Sequence, residues 1–409
     1  MTNDQSQSLI SETSKHSLDQ RPESPKRPSK LPKVSDDNIA DAGEEEEQKE
    51  SVTRTMNHNP RLQRYLIAIE YIGTRFAGAQ IQPNCRTVVG VLQEAFQKFV
   101  GQPVSVFCSS RTDAGVHALS NVCHVDAERI SKRKPGDVIG LRRHTHRPPQ
   151  TPLVGLHWLP PYEPLVVKRA VNHFLQKNEG DIMVVDVRCV PADFHARYKA
   201  QERTYFYRLL SGPEAVSNFE RDRAWHVPEN LDLLAMQKAC NILIGRHDFS
   251  SFRAAACQAN SPIRTLDELN VIEVVSTPFF PSISERLKSS NVMEDPTVAL
   301  GSDTNHSQIS LNANEEKLEG SNGEACQEFG LRRRHRCFVV TTRARSFLYH
   351  QVRLLVGVLK SVGAGDLTVP DVKRILEAKS ITAAPPMAPA CGLYLGHVKY
   401  DLPPESNQS

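Results

Sequence analysis

The sequence predicts an α+β fold built from two similar-sized α/β units that meet near residue 200. Three observations predict it. Short β-branched and aromatic runs alternate with amphipathic helical stretches on both sides of that point. Two long polar segments without hydrophobic periodicity interrupt the pattern. The chain has 409 residues, a length that suits two to three domains.

In the first unit, residues 65–71 (YLIAIEY) read as a strand. Thr87 can cap a helix running to about Val100, because Val88, Val91, Leu92, Ala95, Phe96 and Phe99 follow the helical period. Residues 104–107 read as a strand, 165–175 as a helix, and 182–187 (IMVVDV) as a strand. In the second unit, residues 204–210 (TYFYRLL) form a strand. Residues 231–244 form a helix with Gly245 just past its end, and 269–276 and 337–343 are strands. Ser346 can cap a helix through about Leu359 with the apolar stripe Leu348, Val352, Leu355 and Leu359, and a last strand covers 392–400. No short internal repeat is present.

Charge divides the chain further. The formal net charge is +3. Residues 1–60 carry 8 basic and 12 acidic side chains, and residues 285–330 carry 3 basic and 9 acidic. Both segments are too polar to offset the entropy of ordering them and read as disordered. What remains carries +13, a charge that suits a polyanionic partner, nucleic acid being the commonest. The expected organisation is a disordered tail over 1–60 and a first α/β subdomain over 61–198 with an insertion at about 131–152. A second subdomain covers 199–400 with the disordered insertion at about 285–330, and 401–409 form a flexible tail.

Several classes are disfavoured. The uncharged stretch 380–398 contains Pro385, Pro386 and Pro389, which a spanning helix would not accommodate. The first twenty residues lack the apolar segment of a secretory signal, and Asp4 is out of character for a mitochondrial transit peptide. The run 26–33 (KRPSKLPK) reads equally as a nuclear signal or a solvated basic stretch. Nine scattered cysteines without a C-x-x-C pair indicate reduced thiols rather than a zinc site or a disulfide scaffold.

Three clusters carry chemistry. Residues 109–118 read SSRTDAGVHA: a Gly turn that would present Asp113 at the end of a sheet beside Arg111 and His117. A carboxylate near a guanidinium stays ionised, as nucleophilic or base catalysis requires. The second cluster is Phe194, His195, Ala196 and Arg197, followed by Arg203, Tyr205, Phe206 and Tyr207. Tyr205 and Tyr207 share one strand face, and aromatics interleaved with arginine can stack bases and bind phosphates. In the third, Tyr349, His350 and Arg353 lie on one side of the late helix, where Arg353 can reach a carboxylate.

Taken in order, these motifs resemble the TruA family of tRNA pseudouridine synthases. The Arg-Thr-Asp-x-Gly-Val-His-Ala loop is 111–118, Phe-His-Ala-Arg is 194–197, and Arg-x-Tyr-x-Tyr is 203–207. Phe-Leu-x-x-x-Val-Arg is 347–353, and Gly-Leu-Tyr-Leu is 392–395. The strings at 109–121 and 193–197 are most similar to the animal pseudouridylate synthase-like branch, and the family usually carries an aromatic where Ala79 sits. The resemblance implies two RRM-like subdomains with mainly antiparallel sheets, related by a pseudo-twofold, and an active cleft between them. It implies isomerisation of uridine to pseudouridine in RNA, most simply tRNA, with no metal and no cofactor. It implies Asp113 as the catalytic residue, Tyr205 stacking on the target base, and Arg353 pairing with the aspartate, while Arg111 and Arg197 orient the loop and the RNA. It further implies a homodimer and, through the animal branch, a mitochondrial location, with cytoplasm or nucleus as alternatives. Whether Asp113 attacks the sugar, attacks the base or removes a sugar proton stays open at this point. The competing readings are a catalytically inactive RNA-binding protein of the same fold and a carboxylate glycosidase. The glycosidase would need a second positioned acid, and none stands out beside Asp113.

Overall fold

The alternating residues of 65–71 do form a strand, because one side of it is needed to bury Tyr65, Ile67, Ile69 and Tyr71. A computed structural model describes residues 62–129, 159–177, 180–275 and 334–402. The expected tail 1–60 and the insertions 131–152 and 285–330 lie outside the described residues, as does all but the start of 401–409.

The first half runs β1 (Leu62–Tyr71), α1 (Val88–Val100), β2 (Val106–Cys108), β3 (His117–Glu128), α2 (Pro164–Gln176) and β4 (Ile182–Val190). Thr87 caps α1 by accepting the Gly90 N–H at 3.2 Å, and Gly101 ends it at φ 83°. The apolar faces of α1 (Val88, Leu92, Phe96) and α2 (Val167, Val171, Leu175) close over the buried side of β1.

The second half runs β5 (Glu202–Ser211), β6 (Trp225–Val227), α3 (Leu233–Leu243), β7 (Gly245–Asp248), β8 (Ile263–Val274) and β9 (Arg336–Ala344). It ends with α4 (Gln351–Gly363), α5 (Val369–Ala378) and β10 (Leu393–Lys399). Asp232 caps α3 through the Ala235 N–H. Met236 and Leu243 of α3 and Leu355 and Leu359 of α4 bury against Tyr207, Leu209, Val271 and Phe338.

The ten strands of the described residues join one sheet in the order β4-β1-β3-β10-β5-β9-β8-β7, with β2 on β3 and β6 on β5. The two halves repeat one pattern. β4-β1-β3-β2 and β10-β5-β9-β8 have the same connectivity, a β-α-β-β-α-β order with mainly antiparallel pairing. The junction is short: β10 pairs with β3 in parallel through Tyr394↔His117 and Leu395↔Ala118. Tyr205 packs against both cores, so the halves share a wall at this seam.

Two expectations change. The late helix begins at Gln351 and not after Ser346. Leu348 is buried and its N–H is taken by Gln351 Oε1 at 2.8 Å, so residues 346–350 form a packed loop and His350 adopts φ 63°. Strand β3 (His117–Glu128) is an addition, since the sequence pattern assigns no element there: His117, Asn121 and His124 break the apolar alternation. All three are buried and hydrogen-bonded.

Candidate active site

Residues 109–116 connect β2 to β3 and carry Asp113. Sequence and fold fix this loop through several separate bonds. Ser109 N–H continues the ladder to the Val122 carbonyl at 2.7 Å. Buried Asn121 donates from Nδ2 to the Ser110 carbonyl and the Tyr71 hydroxyl, both at 3.1 Å, and accepts from Ser109 Oγ. The Tyr71 hydroxyl meets Thr112 Oγ1 at 2.8 Å, and the Thr112 carbonyl accepts the Ala79 N–H at 3.0 Å. Gly78 (φ 106°) and Gly115 (φ 82°) supply the left-handed turns on either side. From β5, the Arg203 guanidinium donates to Ser110 Oγ, to the Ser109 and Arg197 carbonyls, and to the Arg345 carbonyl. With the backbone held in this way, the Asp113 side chain stays about one-quarter exposed at the seam.

Its partners come from the second half. His350 Nε2 lies 3.2 Å and Arg353 Nη1 3.9 Å from Asp113 Oδ2. Arg353 is itself anchored. Its Nε donates to the Ala388 carbonyl at 2.8 Å, and the Ala388 N–H returns a bond to the Arg353 carbonyl at 3.0 Å. One turn on, Gly357 lets the Pro386 carbonyl approach so closely that a Cβ would sit 2.5 Å from it. The proline-rich segment 385–389 therefore works as a strap along α4 that fixes the arginine's Nε side and leaves Nη1 for the carboxylate. His350 stacks on Tyr349, with ring centroids 3.8 Å apart, and its left-handed backbone marks a strained position beside the carboxylate.

Burial pushes the Asp113 carboxyl above its ordinary range, and His350 and Arg353 pull it back. Burial lowers the His350 imidazole and Arg353 lowers it further, while the Asp113 charge raises it, so the two neighbouring groups titrate against each other. The group is thus a partly desolvated carboxyl flanked by one guanidinium and one imidazole. Tyr205 stands edge-on to Phe347 at 5.2 Å. Burial raises its phenol and the Asp113 charge raises it further, while Arg203 and Ser110 oppose both. It is therefore a neutral aromatic within the electrostatic reach of Asp113.

The structure brings Arg353 to Asp113 and sets Tyr205 within electrostatic reach of the same carboxylate. Arg111 is exposed at the loop, and the cationic partners of Asp113 are His350 and Arg353 from the second half. Arg197 is half-buried, gives its carbonyl to Arg203, and lays its guanidinium 5.8 Å from the Tyr198 ring. His117 does not serve the carboxylate: Nδ1 accepts the Gly73 N–H, Nε2 bonds the Asp222 carbonyl, and the ring stacks on Tyr394. Ala79, where the family usually carries an aromatic, is buried and ties α1 to the aspartate loop through backbone bonds to Thr112 and Val89. Sequence reasoning undervalued two residues. Arg203 was visible only as the first letter of the Arg-x-Tyr-x-Tyr strand, and His350 only as a helix residue beside Arg353.

A profile of the tRNA pseudouridine synthase family matches residues 67–199 and 239–401, which contain Asp113, His350 and Arg353, while Arg203 and Tyr205 fall in the interval between the two matched segments. The chain belongs to that family. It is 34% identical to tRNA pseudouridine synthase A of Xanthobacter autotrophicus over 337 residues, 82% of this chain and 99% of the relative. It is also 34% identical to tRNA pseudouridine synthase A of Rhodospirillum centenum over 339 residues, 83% of this chain and 100% of the relative. The family match thus reaches into both halves. Among the described residues, no group of three or more His, Cys, Asp or Glu is placed to hold a metal ion, and no helix is long and apolar enough to cross a membrane.

Proposed function

We infer that this protein is a tRNA pseudouridine synthase, an isomerase that converts uridine to pseudouridine in RNA, with Asp113 as its catalytic residue. The observation that carries the reading is the meeting of Asp113 from one half with Arg353 and His350 from the other, with Tyr205 within electrostatic reach, in a family that has this activity. The reaction breaks the N1–C1′ bond, turns the base and joins C5 to C1′; the C5 proton leaves to solvent and N1 takes up a proton, so substrate and product have the same composition.

The geometry suits each need. A carboxylate that burial has raised in energy is more reactive toward an electrophilic carbon or a proton than one in water, and Arg353 and His350 keep it ionised and aimed. Tyr205, rigid against Phe347, offers a ring face for the displaced base and a neutral phenol near C5. The +13 charge outside the two acidic segments draws in the phosphate backbone, and exposed Arg111 is placed to meet RNA as it enters. A uridine within a stem must first leave its stack, at a cost of a few kcal/mol that phosphate and stacking contacts offset. We further propose a homodimer, which light scattering would test. On the branch resemblance we also propose a mitochondrial location, which fractionation of cells expressing the full chain would test.

The deciding experiment compares wild type with Asp113→Asn on tRNA transcripts, reading tritium release from C5-labelled uridine and RNA affinity separately. Asp113→Asn is expected to bind RNA nearly as wild type and to form no pseudouridine. Undiminished turnover in that variant, or a wild-type enzyme without isomerisation on any tRNA, would overturn the reading.

A further inference from the structure

Directly before the aspartate loop, Cys108 of β2 faces Cys123 of β3. The two sulfurs lie 2.6 Å apart. The Ser109 N–H bonds the Val122 carbonyl, so Cys108 and Cys123 form a non-hydrogen-bonded pair in the antiparallel ladder, the type in which facing side chains approach most closely. Facing backbone positions in such a pair are separated by about 4.5 Å, inside the range that a disulfide spans, and the S–S bond itself is about 2.05 Å. The bond can therefore close by small side-chain rotations without moving either strand. The two thiols differ in access. Cys123 is fully buried, whereas Cys108 is only half-buried at the margin of the same core.

We propose that Cys108 and Cys123 are a modification site: a dithiol that closes to a disulfide under a mild two-electron oxidant such as hydrogen peroxide or oxidised glutathione. With peroxide, the Cys108 sulfur takes one oxygen and becomes a sulfenic acid, and one water leaves. The Cys123 thiol then attacks that sulfur, forms the S–S bond and releases a second water. With oxidised glutathione, the Cys108 thiolate displaces one glutathione to give a mixed disulfide, and Cys123 displaces the other. Either route ends with β2 stapled to β3 at the residue next to Ser109, the root of the loop that carries Asp113. The disulfide constrains the unfolded chain more than the folded one, so it raises thermal stability while leaving the native loop in place.

The test treats the full-length protein with each oxidant, maps cysteines by peptide mass spectrometry under non-reducing conditions, and follows the melting temperature. The expected result is a 108–123 cross-linked peptide together with a higher melting temperature, both reversed by dithiothreitol. Cys123→Ala should lose the cross-link and the temperature shift, and keep glutathione on Cys108. A sulfinic acid or a persistent glutathione adduct on Cys108 in the wild-type protein overturns the proposal. So does a 108–123 cross-link that leaves the melting temperature of the wild-type protein unchanged. Neither readout depends on the RNA activity.

Discussion

Gly73→Ala should disable the enzyme from a position that touches neither substrate nor carboxylate. Gly73 opens the turn after β1, and its N–H donates to His117 Nδ1 at 3.2 Å. A Cβ there would lie 1.9 Å from the Val116 carbonyl oxygen, 2.2 Å from its carbon and 2.9 Å from the His117 nitrogen. These neighbours are backbone, so no side chain can swing aside. Restoring even a 3.0 Å separation requires the two segments to part by at least about 1.1 Å. Asp113 sits three residues before Val116, and the Val116 N–H bonds the Asp113 carbonyl, so much of that movement passes to the carboxylate. A displacement of about 1 Å at a reacting group costs roughly 10²-fold in rate, and the overpacked turn should cost about 1–3 kcal/mol in stability. The assay is single-turnover pseudouridine formation on a tRNA transcript, with thermal unfolding and RNA affinity measured on the same preparation. We expect a folded variant that binds RNA within a few-fold of wild type and isomerises it about 10²-fold more slowly. A variant that melts like wild type and turns over within twofold of it would refute the claim that this turn sets the position of Asp113.

Three further outcomes follow from other contacts. Arg353→Lys loses the Nε bond to Ala388, so kcat should fall by about 10²-fold while KM changes little, as steady-state kinetics would show. Arg203→Met strands the Ser109, Arg197 and Arg345 carbonyls and should cost about 2–4 kcal/mol in urea unfolding along with most of the activity. Burial, with help from His195 and Arg64, lowers the His124 imidazole to about 3. The unfolded chain therefore takes up a proton that the folded one refuses. The stability from this residue is fully present above about pH 6.5 and is lost as pH falls toward 3, by up to about 1.4 kcal/mol per pH unit. His124→Gln should flatten the unfolding free energy measured between pH 6.5 and 4.5.

The parts of this protein that sequence displays well are those with a single local cause. Thr87 at the start of α1 and the alternation of 65–71 each state their structure within a few residues, as does the 3.6-residue period of the helix before Gly245. Asp113 was legible because a Gly turn after a strand is a short-range pattern in an unusual setting. The partners of Asp113 were legible only in part. Arg353 stands on a helix face, but its reach depends on the strap 385–389, whose prolines suggest only that no helix passes there. His350 was hidden because the register of the late helix depends on Leu348 being buried and Gln351 turning back to its N–H, a tertiary choice made against the helix propensity of the preceding loop. The signal for α5 was present and unread: Thr368 and Asp371 form a reciprocal capping box with Pro370 in the first turn. Strand β3 was obscured because its buried face carries polar residues that find partners only once Tyr71 and the aspartate loop are in place.

This last point explains why the aspartate motif continues to a histidine. His117 Nδ1 accepts a hydrogen bond from the Gly73 N–H, so Nε2 carries the ring hydrogen and donates a hydrogen bond to the Asp222 carbonyl. Burial lowers its imidazole, in keeping with a ring that stays neutral to preserve both bonds. Its face stacks on Tyr394 at 4.6 Å, and Tyr394 is its partner across the short parallel join of β10 to β3. One neutral side chain thus ties together the turn after β1, the loop before β6 and the last strand of the second half. The two halves share a ladder of two residue pairs here, too few to fix their relation by backbone bonds alone. Asp113 belongs to one half and Arg353 to the other, so their 3.9 Å separation is only as constant as this seam. The histidine is therefore best understood as the residue that holds the carboxylate and the guanidinium in register, and its place in the motif, four residues after the aspartate, follows from the distance between the loop tip and the first rung of the join.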